Sequence, residues 1–303
     1  MKQRILVIGS QSAIGAQVLA ALSASDWAAP VPYAGPPSGL KASSFANVDA
    51  VFNATAGRPA AITDTARALY GALAGSGTPI RAVHLSSMTV YGSNCGEAVE
   101  TSDLRADLGA YGAAQIAGES LARAYPYSVI LRPGCEYGPQ CPEWSVRIAR
   151  LLRAHRLGDL GAAGDGVCNL LFVQDLIAAV SAALRLPHIE GEAFNLAMRE
   201  PPTWNEYLVS FARALGATPV SRINALRLEL EVKLFAPALK AVELMERRLH
   251  RGQFVPPPIT PSLLKLCRQE LTLNVTKAER GLSMRWTALQ DGLRQTAAAL
   301  GGY

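Results

Sequence analysis

The residues Gly9-Ser10-Gln11-Ser12-Ala13-Ile14-Gly15 follow a short apolar run, 5–8, and precede an alanine-rich stretch. That order predicts a strand, a glycine turn and a helix. Free N–H groups at the helix start, together with the positive end of the helix dipole, make such a turn a candidate phosphate site. Gly9 permits the tight turn and Gly15 lets the helix pack closely on the strand. Ser12 stands where backbone must approach a pyrophosphate, and its hydroxyl is able to donate to a phosphate. A second pair carries chemistry of another kind. Tyr111 and Gln115 are four residues apart in a predicted helix, 109–124, so a phenol and a carboxamide share one helix face.

The elements that must position these groups alternate. Strands are predicted at 5–8, 31–33, 49–53, 82–86, 128–131 and 192–196. Helices are predicted at 13–22, 60–74, 109–124, 144–154, 173–186, 204–215, 224–250 and 261–268. This order predicts an α/β fold: a Rossmann-type, doubly wound parallel sheet with a smaller, mostly helical C-terminal substrate region. Residues 1–197 would form the dinucleotide-binding core, and 198–303 a substrate-binding cap interleaved with it. Only about fifteen residues link Tyr33 to Val48, little more than a bare crossover, so an element there is expected to be shortened.

Half of the 303 residues are hydrophobic and 17% are charged, which excludes a disordered chain. Apolar runs fall well short of the ~20 residues of a membrane span, and the first residues do not resemble a signal peptide. The net charge is +5, and the densest basic patch, Arg247-Arg248-Leu249-His250-Arg251, falls at a predicted helix end, where cations complement the dipole. No nucleic-acid partner is expected. Five cysteines without a CxxC spacing point to free thiols and a cytoplasmic location. Cys135 and Cys141 have no nearby histidine, and His155, His188 and His250 lack ligand spacing, so no metal is expected. His84 lies inside a strand and reads as structural. The apolar stretch 226–251 reads first as core packing or a homodimer face, then as a lid over a substrate site, and last as a membrane-surface helix.

Taken in order, these and later motifs resemble the extended short-chain dehydrogenase/reductase family, the NAD(P)-dependent epimerase, dehydratase and reductase group. Gly9–Gly15 looks like its GxxGxxG turn, and residues 48–56, VDAVFNATA, like its VDxVxHxAA strand. Residues 83–92, VHLSSMTVYG, are similar to the strand ending in SSxxVYG, and Tyr111 to Gln115 stands where YxxxK belongs. Leu131-Arg132-Pro133-Gly134 with Tyr137-Gly138-Pro139 resembles LRPxxxYGP, 172–175 resembles FVxVxD, and 191–196 resembles GExFN. Residues 274–281 and 289–295 resemble the family's terminal motif. The resemblance spans about residues 4–297. It implies NAD(P) held by Gly9, Ser10, Gln11, Ser12, Ala13, Ile14, Gly15, Ala54, Ala56, Tyr111, Gln115 and Pro133. It also implies catalysis by Ser87 and Tyr111, with Gln115 in the place of the lysine. In that family the Tyr exchanges a proton with substrate, the Ser orients the carbonyl, and the Lys lowers the Tyr pKa and grips the nicotinamide ribose.

The departures from this pattern carry their own expectations. Gln115 has no charge, and a neighbouring cation shifts a pKa by ~1–3 units. A tyrosine near pKa ~10 is protonated at neutral pH, so it serves as an acid in ketone reduction better than as a base. The end of the second strand has neither the acid that binds a ribose 2′-OH nor the cation that binds a 2′-phosphate. Lys41 is the nearest cation, and the missing acid tilts the reading toward NADP(H) over NAD(H). Met88 and Thr89 replace the Asp and Glu of dehydratases. Cys135 replaces an Asn of nucleotide-sugar epimerases. Glu136 stands where an apolar residue is usual, as a substrate ligand, a second acid/base, a solvated side chain or a partner of Arg132. Thr89, Cys135 and Glu136 are thus the substrate-side candidates. Residues 257–266 resemble the 3β-hydroxysteroid dehydrogenase-like branch, which implies a hydrophobic substrate. The first expectation is therefore an NAD(P)H-dependent reductase of a small, largely apolar carbonyl compound. The alternatives are an epimerase or isomerase on the same scaffold, or a non-catalytic dinucleotide- or partner-binding protein.

Overall fold

The computed structural model describes residues 2–224, 228 and 257–301. The predicted helix 224–250, with its basic end and the lid or dimer face read into it, falls outside the described residues apart from 224 and 228. The strands are β1 (Gln3–Ile8), β2 (Ala28–Tyr33), β3 (Ala50–Asn53), β4 (Arg81–Leu85), β5 (Gly96–Ala98), β6 (Ser128–Pro133), β7 (Cys135–Tyr137), β8 (Leu170–Phe172), β9 (Ala193–Leu196) and β10 (Leu271–Leu273). The described helices are α1 (Ala13–Ala24), α2 (Pro59–Ala74), α3 (Ala110–Arg123), α4 (Arg147–Arg153), α5 (Val173–Arg185), α6 (Trp204–Ala214), α7 (Pro261–Cys267), α8 (Thr276–Gly281) and α9 (Leu289–Leu300).

The chain divides into two compact units. One comprises Met1–Gly134, Leu171–Arg199 and Leu273–Trp286; the other comprises Cys135–Leu170, Glu200–Thr272 and Thr287–Tyr303. The expected boundary after residue 197, with the C-terminal part interleaved with the core, does not coincide with these limits. Residues 135–170 already belong to the second unit, and 273–286 return to the first.

In the first unit six strands form one parallel sheet in the order β2-β1-β3-β4-β6-β9. β1 and β3 read as continuous apolar runs because both faces are covered. Successive side chains enter opposite cores. Ile5, Val7, Phe52, Val83 and Leu131 pack with Val18, Leu22, Leu176 and Val180 of α1 and α5. Leu6, Ile8, Val51, Ala82 and Ile130 pack on the other face with Leu69, Leu73 and Ala122 of α2 and α3.

A Rossmann sheet ordered 3-2-1-4-5-6 has a third strand outside the second. Here the chain crosses from β2 directly to the far side of β1, and β2 is left as an edge that carries Pro30 and Pro32. The expected shortening is plain: between Tyr33 and Ala50 there are only two single 3-10 turns, Pro37–Gly39 and Ala42–Phe45. The turn after β1 therefore lies where the chain leaves β1 and β3 on opposite sides, the switch point at which such sheets bind ligands.

The second unit has an aromatic core. Trp144 and Trp204 have ring centroids 5.3 Å apart, and Tyr207 stacks on Phe211 at 5.7 Å. A capping box of Thr203 and Glu206 starts α6.

A buried ion pair ties the first unit together. Both Glu119 on α3 and Arg132 on β6 are fully buried. Arg132 Nε donates to Glu119 Oε1 at 2.9 Å and its terminal nitrogen to Oε2 at 2.6 Å. Arg132→Met would leave the buried carboxylate with only the half-exposed Arg123, 3.8 Å away, a cost of about 3–5 kcal/mol. The urea midpoint of that variant is expected to fall steeply. Arg67→Met, which opens the exposed Asp64–Arg67 pair, is expected to leave the midpoint unchanged.

Candidate functional site

The glycine turn is wedged against the end of β3. Gly9 has φ +75°, and a Cβ there would lie 2.6 Å from the Ala54 carbonyl carbon and 2.8 Å from the Thr55 nitrogen. A Cβ on Gly15 would overlap the Gly9 carbonyl oxygen. Neither position admits a side chain. Ser12 is the N-cap of α1: its Oγ accepts from Gly15 N at 3.0 Å and donates to Ala54 O at 3.2 Å. The hydroxyl is thus committed to the turn, and the expected donation to a phosphate gives way to capping. Ser12 N donates to Gly9 O, while Ala13 N and Ile14 N have no acceptor among the described residues. Ser10 is buried and Gln11 exposed. Ala54 is buried and Ala56 exposed, and Pro133 ends β6 opposite Leu196.

The second cluster lies on β4 and α3. Ser87 N-caps the 3-10 turn Met88–Tyr91, and its Oγ accepts from Thr89 N at 3.3 Å. Gln115 is buried at 2% exposure, and its Nε2 donates to the Tyr111 hydroxyl at 3.0 Å. Its Oε1 is buried with no partner among the described residues. A buried amide oxygen left unpaired costs about 1–3 kcal/mol. That orphan faces a demand that a ribose hydroxyl meets, so the residues present fit a nicotinamide dinucleotide. Thr89 Oγ1 is likewise buried and unpartnered.

The expected structural role of His84 is visible in its partners. Its Nδ1 lies 3.3 Å from Asn53 Nδ2 and 3.1 Å from the Tyr70 hydroxyl. Asn53 Oδ1 accepts from Thr55, so its amide N–H faces His84, and the ring proton belongs on Nε2. Burial lowers the His84 pKa to about 4, and the ring is neutral at pH 7.

In the second unit, Cys135 is buried, with its thiol pKa pushed up by burial. Glu136 is only partly accessible, and protein packed around its carboxyl raises the pKa to about 7. Arg132, weighed as its partner, commits its guanidinium to Glu119, Tyr91 and the Glu100 carbonyl instead. Among the described residues no group of three or more His, Cys, Asp or Glu could hold a metal ion, and no helix is long and apolar enough to cross a membrane.

Three features escape the sequence motifs. Glu119 binds Ser86 Oγ at 2.6 Å as well as Arg132, and so anchors the residue next to Ser87. Its position one turn beyond Gln115 is the signal that would have found it. Arg58 is exposed at the N-cap of α2, three residues beyond Thr55, with no ion-pair partner among the described residues. A cleft of about 570 Å³ lies beside β9, lined by Glu100, His188, Phe194, Lys277 and Arg280 among others. None of the expected site residues lines it.

The sequence profile of the NAD dependent epimerase/dehydratase family matches residues 5–197. A Bacillus subtilis (strain 168) protein described as an uncharacterized UDP-glucose epimerase, YtcB, is 32% identical over 123 residues. That match covers 38% of this chain and 38% of the relative's length. Among solved structures, MoeE5 in complex with UDP-glucose and NAD matches 98% of each chain at TM-score 0.70 and 20% identity. RMD from Pseudomonas aeruginosa complexed with NADPH matches all of both chains at TM-score 0.72 and 16% identity. These likenesses establish a shared fold.

Two outcomes follow from the geometry. Gly9→Val should abolish dinucleotide binding in a fluorescence titration, because a branched side chain enters the Ala54–Thr55 backbone. Glu136 titrates at about 7 instead of the usual 4.5, so the folded state holds a proton that the unfolded state releases between those values. Its contribution to stability therefore falls as pH rises from 4.5 to 7 and stays low above. Glu136→Gln should match wild type below pH 4.5 and melt progressively higher than wild type up to pH 7, a trend that thermal melts at several pH values measure.

Proposed function

Because the chain belongs to the NAD dependent epimerase/dehydratase family, we propose that it binds a nicotinamide dinucleotide at the Gly9–Gly15 turn and interconverts a secondary alcohol and a carbonyl on its substrate. The primary reading is epimerisation of a nucleotide sugar. The observation that carries the dinucleotide and its orientation is the Gln115 side chain, with Nε2 on the Tyr111 hydroxyl and Oε1 buried and unpaired.

When bound, the nicotinamide supplies hydride transfer. The other tasks fall to the chain. Ala13 N and Ile14 N, at the start of α1, meet the pyrophosphate. Gln115 Oε1 accepts from a ribose hydroxyl, and its Nε2 holds the phenol oxygen in place. Tyr111 exchanges the proton at the reacting substrate oxygen. Ser87 Oγ accepts from Thr89 N, and its own O–H is left to donate to that same oxygen. Thr89 offers an uncharged hydroxyl, which suits a sugar hydroxyl and not the acid/base work of a dehydratase. The nucleotide-sugar class is supported by the description of the Bacillus relative and by the UDP-glucose bound to MoeE5.

A second reading, an NAD(P)H-dependent reductase of a carbonyl compound, is favoured by one feature. Gln115 puts no charge beside Tyr111, and an uncharged phenol donates a proton more readily than it abstracts one. The two readings separate in one assay. An epimerase converts UDP-sugar pairs with catalytic dinucleotide, whereas a reductase consumes reduced dinucleotide in proportion to product. Dinucleotide binding without either activity identifies a binding protein.

In the active direction Tyr111→Phe should lower turnover by about 100-fold or more. Gln115→Lys restores a cation on the shared helix face. It should move the onset of alcohol oxidation about 1–3 pH units lower in a pH–rate profile, with reduction at pH 6 changed less. An unchanged profile in Gln115→Lys together with full activity in Tyr111→Phe would remove Tyr111 from the chemistry.

A further inference from the structure

We propose that the cleft beside β9 is a second ligand site, separate from the Gly9–Gly15 turn, and that it takes a small carboxylic acid with an apolar body. Every residue that lines it belongs to the first unit, and none is among the dinucleotide, catalytic or substrate-side candidates. Its volume of about 570 Å³ lies in the range of small-molecule sites. The site stands whether or not the glycine turn takes a dinucleotide.

The walls combine apolar surface with an unused charge. Val99, Ile189 and Phe194 supply the apolar part, and Val99 remains 39% exposed there. Four ionised side chains also line the cleft: Glu100, Glu192, Lys277 and Arg280. Lys277 pairs with Glu192 at 2.5 Å and lies over the Phe194 ring, 5.2 Å from its centroid. Glu100 Oε1 accepts from Asn195 N at 2.9 Å. Arg280 is exposed, and its guanidinium makes no hydrogen bond or ion pair among the described residues. The carboxylate next to it in the chain, Glu279, is taken by Arg199 and by the Trp286 indole.

This inventory selects the ligand. An unpaired guanidinium presents a planar fork that matches a carboxylate through two parallel N–H···O bonds. The apolar walls call for an apolar body on the same molecule. A doubly charged phosphate would meet Glu100 and Glu192 in those walls and be repelled. His188, held at φ +62°, adds a ring N–H donor to the lining. A peptide strand fits less well. β9 is the outer edge of the sheet, where an added strand would pair. That edge is already capped, because Asn195 N donates to Glu100 Oε1 and Asn195 Nδ2 to the Ala98 carbonyl at 3.0 Å. A small molecule needs no free edge.

The test is calorimetry on the full chain with phenylbutyrate, octanoate and benzoate as probes and phenylbutyramide as the uncharged analogue. The proteins are wild type, Arg280→Met, Val99→Asp and, as a control on the far surface of α2, Arg67→Met, with thermal melts to verify folding. Wild type should bind phenylbutyrate about tenfold or more tighter than its amide. Arg280→Met should lose about ten- to a hundredfold in phenylbutyrate affinity, the scale of a charged hydrogen bond, and no longer tell acid from amide. Val99→Asp should weaken both ligands, and Arg67→Met should bind as wild type does. No binding of any of the three acids, equal binding of acid and amide by wild type, or a folded Arg280→Met with wild-type affinity overturns the proposal. So does displacement of phenylbutyrate by NADH, which would put the acid at the glycine turn, or a crystal structure with the cleft filled by the chain itself or by a second copy. Wild type that binds phenylbutyrate through Arg280 but binds no dinucleotide supports the cleft site and overturns only the nicotinamide reading.

Discussion

The Glu119 carboxylate is the point on which the first unit depends. It accepts from Ser86 Oγ, from Arg132 Nε and from an Arg132 terminal nitrogen, with no part of either charged side chain exposed. Taking two such charges out of water costs several kcal/mol each, and only full hydrogen bonding offsets it. The remaining Arg132 nitrogen is accordingly spent on the Tyr91 hydroxyl and the Glu100 carbonyl, and Tyr91 passes its proton to Asn195 Oδ1 at 2.6 Å. Three segments that carry the site meet here: α3 with Tyr111 and Gln115, the end of β4 beside Ser87, and the end of β6 beside Pro133. Their alignment is fixed by an interaction that does no chemistry itself.

Most of the fold is legible in the sequence because the parallel sheet is buried on both faces. The runs 5–8 in β1 and 50–52 in β3 are apolar without interruption, and Pro and Gly mark nearly every joint. The missing crossover after β2 is legible from chain length alone. The strands that escape the sequence reading, β5, β7, β8 and β10, are three residues long, too short for a period to show. The division into two units escapes it as well. Residues 135–170 leave the sheet unit and 273–286 return to it, and such long-range bookkeeping leaves no local mark.

The candidate site is legible by residue type and less so by hydrogen bonding. Gly9 and Gly15 are where backbone contact forbids a side chain. Ser12 reads as a phosphate donor but serves as a helix cap, because its hydroxyl reaches Gly15 N and Ala54 O first. Glu136 reads as an acid/base or an Arg132 partner; burial raises its pKa, while Arg132 is already taken. At each of these positions the competing local hydrogen bond, invisible in the sequence, decides the outcome.

The central claim is that an uncharged Tyr111–Gln115 pair takes the place of a tyrosine and a lysine, with the buried Gln115 oxygen reserved for the ribose of a dinucleotide. A crystal structure of the chain with NAD+ bound tests it most directly. The account predicts Gln115 Oε1 within hydrogen-bond distance of a nicotinamide-ribose hydroxyl, with Nε2 still on the Tyr111 oxygen. A bound dinucleotide whose ribose leaves Gln115 Oε1 unpaired would contradict it.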